Sequence, residues 1–225
     1  LCGITYYADV KFPEAFRKNF FIGDAFKSRV HRYTWEFKGS SPVGKSEEDF
    51  VKSADPWFRP VNVKMGPDGA IYVADFYNAI IGHYEVPLGH PKRDKQRGRI
   101  WRITYKGDHN EKKDLAKASV NELIEALKLD NMVVRMNAAD QIADRIGPAA
   151  VPSLKSLIAD KNVSSQQYVH ALWLLFRLNE LNDDLLKASL ANSNALIRLH
   201  TLRILAEEKL DATYYALIAN SLKQV

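Results

Sequence analysis

Four residues around one predicted strand end have side chains suited to holding a ligand: Arg59, Asp75, Tyr77 and Asn78. A guanidinium offers a planar fork of donors for an anionic or hydroxyl-rich partner. Carboxylate and amide oxygens can accept from sugar hydroxyls or hold a cation, and a phenol both donates and accepts. The same residues also fit a purely structural role. Arg59 could stack on Trp57 and pair with an aspartate, and Asp75 to Asn78 could form an Asx-type turn that caps the strand. What positions them is the segment Pro60 to Asn78. Two apolar runs flank Gly66-Pro67-Asp68-Gly69, where Pro67 fixes φ early and Gly69 supplies the φ > 0 that closes a tight turn. The run Ala70 to Ala74 is β-branched and aromatic, as a buried strand should be.

Other candidates are more dispersed. His31 and Arg32 lie in an alternating run and must face opposite sides of a strand, so one of them is a candidate for the ligand side. His83 and His90 are candidate bases or packing histidines, with no orienting partner visible in sequence. The run His90 to Arg99 is basic and suits an anionic glycan, a redox partner, nucleic acid or a solvated loop. Tyr168, Trp173 and Phe176 share one helix at core spacing. No zinc spacing, phosphate-cradling glycine loop or nucleophile elbow occurs. The single cysteine, Cys2, rules out an internal disulfide and reads as a small apolar residue or as half of a bridge to sequence outside the chain.

The chain has 225 residues and a formal charge of +5. The charge is uneven: residues 1–110 hold 18 Lys and Arg against 13 Asp and Glu, while residues 111–225 hold 14 of each. So modest a surplus does not argue for nucleic acid. No apolar run approaches the roughly 18 to 20 residues of a membrane-spanning helix. The chain opens on Leu1 in a strand-like run, which suggests an internal piece of a longer protein.

The hydrophobic period changes midway. Up to residue 106 the pattern is strand-like: Ile4 to Tyr7, Asn19 to Asp24, Val30 to Phe37, Pro60 to Lys64, Ala70 to Asp75, Ala79 to Glu85 and Gly98 to Tyr105, with Gly39 to Lys45 reading as a loop. These group into two propeller-type blades, residues 1–38 and 55–106, too few to close a ring. Residues 107–117 form a polar linker, and 118–225 are helical. Val120, Leu123, Ile124 and Leu127 fall at helical spacing, and the stretches 134–142, 167–175 and 197–205 superpose, bringing Ala138, Ala171 and Thr201 together. Asp130, Asp160 and Asn192 stand near the start of each unit as turn or N-cap residues, and Pro148 and Pro152 mark a turn and a helix start. Residues 211–225 look like the first helix of a further unit. The predicted class is therefore multidomain β plus α, a partial propeller followed by an α-solenoid.

The series Cys2-Gly-Ile-Thr-Tyr6, Asn19-Phe-Phe-Ile22, Val30-His-Arg32, Asp55-Pro-Trp-Phe-Arg-Pro60, Gly66-Pro-Asp-Gly69, Tyr72-Val-Ala-Asp-Phe-Tyr77, Ile81-Gly-His-Tyr84 and Arg97-Gly-Arg-Ile-Trp-Arg102 resembles the last two blades of the large membrane-bound dehydrogenases of planctomycete-type bacteria. Those are similar to glucose/sorbosone dehydrogenase propellers. The resemblance implies HEAT-like repeats after the propeller, a periplasmic or cell-surface location, and a parent that oxidises a sugar or polyol and passes electrons to a c-type haem domain. It further implies pyrroloquinoline quinone as cofactor, held through its carboxylates by a lysine and two arginines. Arg59 occupies one of those arginine positions and Phe26 or Lys27 the lysine position. Val61 stands at the second arginine position and Asn62 at a neighbouring acidic one. The catalytic base and any haem-attachment motif would lie in other parts of the parent. The competing expectation is a non-catalytic propeller and repeat scaffold that binds glycan or protein.

Overall fold

A computed structural model of the chain describes residues 1–82, 85–106 and 114–207, together with 215, 218 and 219. It is a mixed β and α protein with open antiparallel sheets. The chain divides into two compact units, Leu1–Lys113 with Asp130–Val133, and Asp114–Leu129 with Val134–Val225.

The first unit holds two sheets. Strands β1 (Cys2–Tyr6), β2 (Phe20–Asp24), β3 (Arg29–Lys38) and β4 (Ser41–Ser46) follow one another in order, and β5 (Val51–Lys52) pairs with the start of β3. Strands β6 (Pro60–Met65), β7 (Ile71–Asp75) and β8 (Arg99–Ile103) make the second sheet in the same sequential order. Between β1 and β2, Pro13 starts one 3-10 turn, Glu14–Phe16. Tyr7, Phe21, Val30, Phe58, Val63, Ile71 and Val73 form the core, and burying each such side chain contributes about 1.5 to 3 kcal/mol.

The turn between β6 and β7 forms where the sequence places it. The Gly69 amide donates to the Gly66 carbonyl at 3.1 Å, and Gly69 has φ of 74°. A Cβ there would stand 2.9 Å from an Asp9 carboxylate oxygen, so both backbone conformation and space demand glycine. The Tyr7 hydroxyl donates to the Gly69 carbonyl at 2.7 Å and ties the turn to the core.

Two predicted elements differ. Gly39 to Lys45 is not a loop: Ser41–Ser46 is a strand, paired with β3 from Lys38↔Ser41 to Tyr33↔Ser46. A two-residue turn, with Gly39 at φ of 62°, lets the outer half of β3 satisfy its backbone groups against a Ser/Pro/Gly sequence. Pro42 is accommodated because β4 is at the sheet's edge. The second difference is Ala79 to Glu85, whose described residues contain no strand. The Asn78 Oδ1 accepts from the Ile80 amide at 3.2 Å, which turns the chain off the strand path, and β8 pairs directly with β7. His83 and Tyr84 lie outside the described residues.

The second unit contains α1 (Val120–Ala126), α2 (Met132–Asp140, its start counted with the first unit), α3 (Val151–Ala159), α4 (Ser165–Arg177), α5 (Asp183–Leu190) and α6 (Ala195–Glu207). Ser119 with Glu122, and Ser164 with Gln167, form capping boxes at the starts of α1 and α4. Asn182 caps α5. Asp160 and Asn192 are turn residues, each accepting from the amide two residues on. Gly147, at φ of 64°, ends a π-helical turn, and Pro152 stands in the first turn of α3. Ala138, Ala171 and Thr201 are all fully buried. Tyr168 is buried, while Trp173 and Phe176 pack half-buried on the same cluster. Most of the predicted linker, and the predicted helix over 211–225 apart from isolated positions, lie outside the described residues. Among the described residues no helix is long and apolar enough to cross a membrane.

Candidate functional site

The end of β7 brings Arg59, Asp75, Tyr77 and Asn78 together, and Asp75 is the centre. Its carboxylate is buried. The Oδ1 accepts from the Arg59 amide at 2.8 Å and the Tyr77 amide at 2.9 Å. The Oδ2 accepts from the Trp101 indole N–H at 3.1 Å, with the Arg99 Nε at 3.9 Å. One side chain thus fixes the segment before β6, the loop after β7, and β8. The register that makes this possible pairs Asp75 with both Pro60 and Arg99.

Arg59 spends its guanidinium on backbone. Its Nε donates to the Asn78 carbonyl at 2.9 Å, Nη1 to the Ala25 and Phe26 carbonyls at 2.9 and 3.2 Å, and Nη2 to the Ala79 carbonyl at 3.4 Å. It ties the β2–β3 turn to the loop after β7. Asn78 is likewise engaged: its Nδ2 donates to the Asp94 carbonyl at 2.7 Å, and its amide donates to the Trp57 carbonyl at 2.9 Å. Tyr77 has φ of 46°, unusual for an aromatic residue, and its ring lies 5.6 Å from that of Trp57. Over these rings sit two guanidiniums. The Arg99 Cζ is 3.7 Å from the Tyr77 ring centre and 5.6 Å from that of Trp101, and the Arg97 Cζ is 5.3 Å from that of Trp57. Trp101 is 45% exposed. The surface above Asp75 is therefore aromatic and cationic, with its carboxylates below.

Lys27 and Arg32 are not part of this cluster's bonding. Lys27 is exposed in the β2–β3 turn, its amide donating to the Asp24 Oδ1 at 2.9 Å. Arg32 donates to the Ala15 carbonyl at 3.0 Å and the Asn19 Oδ1 at 3.3 Å, and lies over Phe16. His31 takes the opposite face, as alternation requires. Its two ring nitrogens stand 2.7 Å from the Asp49 Oδ1 and 3.1 Å from the Asp24 Oδ2, and Arg29 donates to the other oxygen of Asp49. Burial opposes ionisation of Asp24, but the Lys27 amide, His31 and the Phe26 amide outweigh it and hold its carboxyl below the usual range. His90 turns its Nδ1 to the Lys92 amide at 3.2 Å. Cys2 is a half-buried free thiol.

A second buried carboxylate, Asp68, anchors the β6–β7 turn to β8. Its Oδ2 accepts from the Tyr72 hydroxyl at 2.8 Å and the Arg102 Nε and Nη2 at 2.7 Å each. Burial works against its charge, yet Arg102, Tyr72 and the Ala70 amide together lower its pKa. In the helical unit, burial first, then Arg135 and His200, push the His170 imidazole down to about 4. Among the described residues no group of three or more His, Cys, Asp or Glu side chains is placed to hold a metal ion.

Arg97, Arg99 and Trp101 are the site residues that composition alone underrates. The signal was present: Arg99 and Trp101 share the parity of an alternating strand, and so must share a face. What was missing was the register that sets them beside Asp75 and Val73. Residues 1–107 match the family model described as a domain of unknown function, DUF7133. No curated protein and no solved structure matches the chain.

Proposed function

We propose that this chain is the propeller-end and helical-repeat portion of an extracytoplasmic protein resembling the membrane-bound sugar dehydrogenases, and that it supplies saccharide contacts rather than the chemistry of oxidation. The sequential antiparallel order within each sheet supports two late propeller blades. HEAT-like repeats are supported by the buried small residues at 138, 171 and 201, and by a repeated arginine contact. Arg135 Nη1 donates to the Leu129 carbonyl at 2.6 Å and Arg198 Nη1 to the Asn192 carbonyl at 2.9 Å, each reaching back six residues at superposed positions.

The observation that carries the binding reading is the Asp75 carboxylate and its three donors, which hold Tyr77 and Trp101 in place at one strand end. The Trp101 ring, fixed in this way and 45% exposed, offers an apolar face to the C–H face of a sugar ring at little entropic cost. The same residues do not fit a quinone's carboxylates. Arg59 is committed to four backbone carbonyls, Val61 stands at the second arginine position, and the Asn62 Oδ1 accepts from the Val63 amide. Quinone and haem, if the parent uses them, would rest on other residues. The test is affinity electrophoresis of the full chain through gels holding neutral and acidic polysaccharides. The reading expects retardation in at least one gel, reduced by Trp101→Ala and Tyr77→Ala. Free migration in every gel refutes it.

A further inference from the structure

We infer that Arg97 and Arg99, seated on the rings of Trp57, Tyr77 and Trp101, form a subsite for an acidic saccharide; this rests on the saccharide-binding reading above. The arginines of the first unit spend their donors differently. Arg17 donates to the Phe12 carbonyl, Arg29 to Asp49, Arg32 to Ala15 and Asn19, Arg59 to four carbonyls, Arg93 to the Gly82, Val86 and Pro87 carbonyls, and Arg102 to Asp68. Arg17 bonds through its Nε alone but lies over no aromatic ring among the described residues, whereas Arg97 and Arg99 combine unspent Nη atoms with a seat over aromatic rings. Only the Nε of each meets a protein carboxylate: Arg97 donates to the Asp94 Oδ2, and Arg99 stands 3.9 Å from the Asp75 Oδ2. No protein acceptor among the described residues is hydrogen-bonded to their Nη atoms, and the two side chains are 61% and 38% exposed.

With the Arg97 Nε bonded to Asp94, the Arg99 Nε 3.9 Å from the buried Asp75 carboxylate, and each Cζ over an aromatic ring, the paired Nη edge remains as the donor fork. That fork matches a carboxylate or sulfate in two parallel hydrogen bonds, a geometry that a single hydroxyl cannot use. The carboxylates that could repel such a ligand lie beneath the surface: the Asp75 side chain is 0% exposed and that of Asp94 is 6% exposed. Tyr77 is held at its positive φ by the same carboxylate that fixes Trp101, so the rings beneath the arginines are rigid. Single-stranded nucleic acid fits less well. It asks for several open stacking faces along a basic groove, whereas Arg99 already covers Tyr77 at 3.7 Å.

The experiment measures binding of the full chain to polygalacturonate, dextran sulfate, neutral dextran and a poly-dT oligonucleotide, at low and high salt. Expected are selective binding of one or both acidic polymers, weakening as salt rises, and a loss of about tenfold for each of Arg97→Gln and Arg99→Gln. Arg99→Lys, which keeps the charge without the fork, should recover only part of that loss. Thermal unfolding of each variant should stay cooperative and be only slightly lowered, since each loses an Nε contact and a seat over a ring but no Nη bond to the described residues. Equal binding of neutral dextran and the acidic polymers, or acidic binding untouched by both glutamine variants, overturns the acidic subsite while leaving saccharide binding standing. Absence of binding to all three polysaccharides overturns both readings. Tighter binding of the oligonucleotide than of either acidic polymer assigns the patch to nucleic acid and overturns the inference.

Discussion

Replacing Asp75 is the sharpest test of the strand-end architecture, because three separate segments converge on one carboxylate. Asp75→Ala leaves the Arg59 amide, the Tyr77 amide and the Trp101 indole N–H without their acceptor. A hydrogen bond to a charged group contributes about 1.5 to 3 kcal/mol, and a buried donor left unpaired costs about 1 to 3 kcal/mol. Tyr77 is half-buried and Trp101 is 45% exposed, so water recovers part of the loss at those two positions. The expected cost is about 3 to 5 kcal/mol, a large share of the roughly 5 to 15 kcal/mol that holds a domain together.

Asp75→Asn separates geometry from charge. The amide oxygen can still accept from both backbone amides, but its NH2 group then faces the indole N–H, donor against donor. That variant should lose about 2 kcal/mol. The conflict makes a double-variant cycle informative. Trp101→Phe should cost about 1 kcal/mol in the parent chain, where it removes a hydrogen bond, and nothing or less in the Asp75→Asn background, where it removes the clash. Urea unfolding followed by circular dichroism reads all four members. If Asp75→Asn unfolds with the parent, or if the Trp101→Phe cost is the same in both backgrounds, Asp75 does not organise the site as argued.

Other perturbations probe the remaining elements. Arg59→Met removes the tie between the β2–β3 turn and the loop after β7, and should cost about 2 to 3 kcal/mol in chemical denaturation. His170 titrates near 4 when folded and near 6.5 when unfolded, so the unfolded chain takes the proton first. Stability is intact above about pH 6.5 and falls as pH drops toward 4, by about 2 to 3 kcal/mol after allowing for partial solvent screening. Urea midpoints at pH 7 and 4.5 should show this loss in the parent and much less of it in His170→Asn. Asp24 and Asp68 have lowered carboxyl pKa values, so they stabilise above the ordinary carboxylate range, and their contribution disappears only as pH falls below about 4. Asp68→Asn should flatten that acid limb. Ala171→Leu, which inserts a large side chain at a fully buried position, should destabilise by about 1 to 3 kcal/mol in thermal or urea melts.

Much of the fold was legible because local signals agreed with one another. The Gly66 to Gly69 turn, the strands on either side, and the small residues at 138, 171 and 201 all follow from residue type and spacing. Where composition misled, backbone hydrogen bonding decided. Residues 41–46 look like a loop by their Ser, Pro and Gly content, yet the long β3 strand offers them a ladder. Residues 79–82 look like a strand by their apolar content, yet Asn78 turns the chain away. The grouping of Arg59, Asp75, Tyr77 and Asn78 was readable because all four flank one strand. The partners of His31 were not. Asp24 precedes it by seven residues and Asp49 follows it by eighteen, and only the pairing of β2, β3 and β5 brings them together.

The arginines show why residue type alone ranks a site wrongly. In sequence, Arg59 outranks Arg97 and Arg99, since it precedes the inner strand and they sit in a charged run that resembles a solvated loop. Hydrogen-bond accounting reverses the order. A guanidinium whose donors meet backbone carbonyls is already paired, and turning it toward a ligand would leave those carbonyls unsatisfied at about 1 to 3 kcal/mol each. Arg59 would give up four such contacts, a penalty that one ligand carboxylate does not repay. Arg97 and Arg99 would give up none to the described residues through their Nη edges, and their stems are already braced by Asp94, Asp75 and three aromatic rings. Binding rewards donors that are both unspent and preorganised. On that criterion Asp75 and Arg59 act as the frame, and the surface that meets a partner is the arginine and aromatic layer they hold in place.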